Sequence, residues 1–149
     1  MSLTLDSTFY ENVESALQTR LLTVAGIPPA EHLVLENQSP AYVPQAGTPW
    51  LRWTFRPQPN RLANINADAQ LVRHIGAVMI DYYVPRGEGT RRANTVSAAI
   101  VTALRPGTRL IYNGLLVLVR TCFAQGGQNI DQHYQRPITL GWTADTIST

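Results

Sequence analysis

The stretch IGAVMIDYYVPRGEGTRRANTVSAAIVTAL, Ile75 to Leu104, decides the fold of this chain. Its first part alternates. Val78, Ile80, Tyr82 and Val84 fall on one face of a strand, and Ala77, Met79, Asp81 and Tyr83 on the other. Pro85-Arg86-Gly87-Glu88-Gly89 cannot continue that strand, because proline lacks an N–H and glycine packs nothing. The period then changes. Ala93, Val96, Ile100, Ala103 and Leu104 recur near the 3.6-residue spacing of an amphipathic helix.

Upstream, Pro49 to Arg56 alternates again, with Leu51, Trp53 and Phe55 against Arg52, Thr54 and Arg56. That pattern predicts a half-buried strand whose wetter face carries arginines, joined by Trp50. Pro57 to Gln70 holds two prolines and several asparagines without a period. The expectation is a long loop that closes a hairpin and meets a partner, since loops this long inside compact domains tend to be functional. Nearer the start, Phe9, Val13, Ala16, Leu17, Leu21 and Val24 form one stripe, predicting a helix over Thr8 to Ala25. Thr8 and Glu11 fit a capping box, and Gly26 with Pro28-Pro29 stops the helix. His32 to Glu36 suggests a short strand and Asn37 to Thr48 a loop.

Downstream, Pro106-Gly107 makes a turn, Leu115 to Phe123 an apolar strand, and Gly126-Gly127 a hairpin tip. Gln132 to Thr143 is the last predicted strand, with Pro137 pointing to an edge or a bulge and Ala144 to Thr149 expected to fray. The sum is one α+β domain over residues 1–149, a mostly antiparallel sheet of four to five strands packed by two helices. Leu115–Val119, and nearly so Ala77–Val84, are apolar on both faces. Either the helices cover both faces of the sheet or an oligomer covers one.

Apolar residues make up 44% of the chain and charged residues 15%, which argues for a packed domain and against disorder. The formal net charge is only +2, and every basic side chain is arginine. Without lysine there is no P-loop lysine and no Schiff base. Gly-x-Ser-x-Gly and His-Glu-x-x-His are missing too, so no catalytic residue and no cofactor site is assigned. Gly87-Glu88-Gly89 lacks the third glycine of a dinucleotide fingerprint. Its backbone, with Arg91 and Arg92, could still face an anion at the helix start. His32, His74 and His133 fall on separate predicted strands and Cys122 is the single cysteine, so no metal site is expected. Asp81, inside an apolar strand, calls for an arginine partner, Arg52 or Arg120. No apolar run is long enough to span a membrane, and the N-terminus has no leader pattern, so the expected compartment is the cytoplasm.

Three segments together resemble a known group: Gly47-TPWLRWTFR-Pro57, Gly76-AVMIDYYVPRGEG-Thr90 and Tyr134-QRPIT-Leu140. They are similar to the tail terminator, or tail completion, proteins of long-tailed bacteriophages, including the group found in phage lambda and a related phage family of unknown function. Trp50, Trp53 and the lack of lysine depart from the usual pattern. The resemblance implies a structural, non-enzymatic protein of the virion tail or neck, assembled in the host cytoplasm. It implies a homo-hexameric ring on the tail tube protein, which stops tube polymerisation and meets the head–tail connector protein. Genome DNA would pass the lumen without specific binding. No contact residue follows from the resemblance itself. The arginine-rich strand face and adjoining loops are the expected oligomer or tube interface: Arg52, Arg56, Arg61, Asp68, Arg86, Arg91 and Arg92. The competing reading is a nucleic-acid-binding domain that stacks bases on Trp50, Trp53, Tyr82 and Tyr83.

Overall fold

A computed structural model describes residues 3–64 and 70–148 of the chain. Two helices are present there, α1 at Phe9–Leu21 and α2 at Arg91–Ala103. The long strands are β3 at Trp50–Pro57, β5 at Gln70–Pro85, β7 at Leu115–Ala124 and β9 at His133–Ser148. Five short ones complete the sheet: β1 at Leu3–Thr4, β2 at Leu33–Val34, β4 at Arg61–Leu62, β6 at Arg109–Tyr112 and β8 at Gln128–Ile130.

The main path of the sheet runs β2-β3-β5-β9-β7-β6, with β1 and β8 joined to β9 and β4 to β5. β1 pairs with β9 and β2 with β3 in parallel, and all other ladders are antiparallel. The α+β class with two helices therefore holds, but the sheet is larger than four to five strands and mixed. The strands not expected, β1, β4, β6 and β8, span two to four residues, too short for any alternation to show.

Both helices lie on one face of the sheet. Val78, Ile80, Tyr82 and Val84 point toward them and join a single core with Leu51, Trp53, Val117, Ile138 and Leu140. Phe9, Val13, Leu17, Val96 and Ile100 close that core from the helix side. Gly26, at φ +88, lets the chain turn beside α2, where a β-carbon would sit 3.0 Å from Val96 Cγ2.

Several local expectations change. Residues 144–148 do not fray: β9 continues through Ser148 and pairs with β5 as far as Gln70. Pro137 lies in this central strand rather than on an edge. Its carbonyl accepts the Gln125 N–H at 2.8 Å, so its nitrogen faces the gap between β7 and β8, where no donor is needed. The capping box does not form. Asp6 Oδ1 instead accepts from Thr8 N–H at 2.8 Å and from the Thr8 hydroxyl at 2.6 Å. His32 ends a 3-10 turn instead of starting a strand, and its ring bonds the Tyr42 hydroxyl. Within Pro57 to Gln70, Arg61–Leu62 pairs with Val72–Arg73, and Asn64 Oδ1 caps the Leu71 N–H at 2.6 Å. Asp68 lies outside the described residues.

Candidate assembly surface

The helix-free face of the sheet collects arginine. Side chains of directly opposed residues share a face, so the pairing registers place Arg52 with Asp81, Arg56 with Ala77, Arg61 with Arg73, and Arg73 with Asp145 on that side. Arg109, opposite Leu118, joins them. Arg120 arrives by a β-bulge. The register slips between Val119 and Thr121, so Arg120 and Thr121 both leave the core side and Cys122 returns to it. Six of the twelve arginines thus occupy one face, with Asp81 and Asp145 among them.

Each carboxylate there has a cross-strand partner. Asp81 Oδ2 accepts from Arg52 Nη2 at 2.9 Å and from Nε at 3.3 Å, while Arg120 donates to Thr143 Oγ1 instead. Asp145 receives a fork from Arg73, Nε and Nη2 both at 2.9 Å. That hydrogen bond, then the charge of Asp145, raises the Arg73 pKa. Arg109 has no ion-pair partner among the described residues.

The interface residues expected from the sequence separate into two groups. Arg52, Arg56 and Arg61 are exposed on the helix-free face, strung along β5 from Asp81 to Arg73. Arg86, Arg91 and Arg92 are exposed at the other end of the β5–β9 ladder, in the turn into α2. Arg86 Nη1 holds the Asp131 carbonyl at 3.2 Å, and Arg92 pairs with Glu88 at 3.2 Å. Glu88 itself therefore brings the negative charge to the start of α2, where an anion was considered. Arg73 and Arg109 are absent from the sequence-based expectation, and Arg120 enters it only as a possible partner of Asp81. The signal for Arg109 was available in Asn113-Gly114, a hairpin turn that implies a strand on each side.

Base stacking is closed off. Trp53 and Tyr82 are core residues on the helix side, and Trp50 stacks on Tyr83 at 3.8 Å with the planes 3° apart. Trp50 does sit on the arginine face, yet only 9% of it is exposed. Burial pushes the Tyr82 and Tyr83 phenols above their ordinary range. The histidines are dispersed: His74 faces Ala144 and His133 faces Pro85, at opposite ends of the ladder. Burial pushes the Cys122 thiol up to about 11, the behaviour of a core residue. No helix among the described residues is long and apolar enough to cross a membrane.

The phage tail terminator protein family matches residues 12–142. The chain belongs to the phage tail terminator family. The matched span begins inside α1 and ends inside β9, so it contains all six arginines of the helix-free face. Two solved structures share the fold of this chain. One, of a protein without a functional name, has a TM-score of 0.67 at 20% identity, over 91% of this chain and 94% of that one. The other belongs to the virion of a native gene transfer agent particle, with a TM-score of 0.53 at 14% identity, over 94% and 99%. No curated protein matches. The family is one of structural tail proteins of the phage virion, not of enzymes.

Proposed function

We propose that this chain closes the tail as a homo-oligomeric ring, six subunits in the simplest case, seated on the last layer of the tail tube protein. The ring ends tube polymerisation because it presents no further subunit-like surface, and it gives the head–tail connector protein a surface to join. Genome DNA passes through the lumen without specific contacts. Assembly takes place in the host cytoplasm. The family match over residues 12–142 carries this reading.

The arrangement of charge supports it. Arg56 and Arg61 stand toward one end of the β5–β9 ladder and Arg86, Arg91 and Arg92 at the other. They are separated by on the order of 30–40 Å of strand. A subunit that meets the tube on one side and the connector on the other needs two such contact regions. Asp68, next to the Arg61 hairpin in sequence, belongs to the first of them in this proposal.

The test is tail length. In a phage lysate made without this protein, electron microscopy should show overlong tails lacking heads, and adding the purified chain to growing tails should restore a fixed length. Tails of normal length without it would end the proposal.

A further inference from the structure

Two concavities of opposite charge lie at opposite edges of the sheet. The first is on the helix-free face at the β6–β7 edge. It encloses about 230 Å³ and is lined by Arg73, Arg109, Leu118, Arg120, Thr143 and Asp145, among others. With Arg73 committed to Asp145 and Arg120 Nε to Thr143, the guanidinium of Arg109 and the Nη groups of Arg120 remain to meet a ligand. Ile111, on the same face as Arg109, is 74% exposed. The second concavity lies between α1 and the β2–β3 edge. Glu11, Glu14 and Glu36 line it with Leu35 and Phe55, and no arginine does. Leu35 is 38% exposed. No ion pair joins the two concavities within one chain among the described residues.

We propose that these are the two halves of one contact between copies of this chain, an inference that rests on the ring reading. The Glu11 side of one subunit docks on the Arg109–Arg120 side of the next. Arginine forks suit carboxylate partners, and the exposed apolar residues beside each charge cluster supply the area that charges alone do not. The two surfaces differ and lie on opposite edges and opposite faces. A contact of this kind is heterologous, repeats head to tail and can close into a ring, whereas a two-fold dimer would need one self-complementary surface.

The experiment reverses the charges on the full chain. Arg109→Glu and Glu11→Arg are each expected to weaken self-association at least about tenfold by sedimentation and light scattering. Carrying both changes in one chain restores complementary contacts, so the double variant should regain association to within a few-fold of wild type. Circular dichroism checks that each variant folds. If Glu11→Arg disturbs α1, a chain with Glu11→Cys and Arg109→Cys replaces it, and oxidation should give a covalent ladder of subunits. Single variants that associate like wild type, a folded double variant as weak as the singles, or no ladder would each overturn the contact. So would unchanged association with weaker binding of a duplex DNA oligonucleotide by Arg109→Glu, which would reassign the arginines to phosphate. A wild-type chain that never self-associates, alone or on tail tubes, brings down the ring reading and the contact with it. Wild-type rings insensitive to these changes bring down the contact alone.

Discussion

His74 couples this fold to pH. The residue is 2% exposed, and its ring lies 4.4 Å from the Phe9 ring and bonds Thr146 Oγ1 through Nε2 at 2.9 Å, while Nδ1 has no partner. Burial lowers its pKa below the ordinary 6.5, and the charge of Asp145 opposes this only in part. The unfolded chain therefore takes the proton first. Between the ordinary value and the lower folded one, the unfolded state binds more protons, so stability falls as pH falls through this window. Above 6.5 the group contributes nothing. The loss is at most about 1.4 kcal/mol per pH unit, read from urea midpoints at pH 7.5 and 5.5, and His74→Gln should remove that component. Gly76 makes a second residue-scale prediction. It faces the helices directly opposite Trp142, whose indole stacks on Phe55 at 5.6 Å and covers the glycine. A β-carbon there would run into the indole. Gly76→Ala should cost about 1–3 kcal/mol by overpacking. Gly126→Ala, where a β-carbon meets open space, should leave the melting temperature unchanged.

Between strands, the Arg52–Asp81 pair shows what a polar position inside an apolar strand requires. The Asp81 side chain is 9% exposed and that of Arg52 47%. Removing the arginine strands a nearly buried carboxylate. Arg52→Ala should therefore cost about 1–3 kcal/mol, more than Arg56→Ala on the same strand, and adding Asp81→Asn should recover part of it. Urea denaturation of the four chains checks this. That pair was legible in the sequence because a lone aspartate in an apolar run must find a cation. The β5–turn–α2 unit was legible because its two periods differ. The β6–β7 hairpin was written plainly in Asn113-Gly114, at φ 49 and 80, but the four residues before it are too few to display a strand period. The bulge at Arg120 left no mark, since an extra residue in one strand becomes visible only when the neighbouring strand counts past it. The arginine cluster was illegible for the same reason: Arg73, Arg109 and Arg120 sit on three strands, and only the registers bring them together.

At the scale of the whole molecule, the question of what covers the second sheet face has half an answer. Both helices pack on one side, and the other side keeps Met79, Leu116 and Leu118 half-buried and Phe123 47% exposed among its arginines. That face is amphipathic, as surfaces that meet other proteins tend to be. A different consequence follows from the placement of β9. It runs through the middle of the sheet, beside β5 for sixteen residues and beside β7 on its other side. The residues of the β5–β9 ladder are separated by on the order of 50 to 80 positions in the chain, a high contact order that slows folding. A ribosome that has released only the first 130 residues has made both helices and most of the sheet, yet the slot that joins β5 to β7 is still empty. Such a nascent chain should stay protease-sensitive, and adding residues 131–148 should convert it to a resistant domain in one step. In the cell that makes it, that dependence acts as a timer: no subunit becomes competent to join a tail until its synthesis has passed β9.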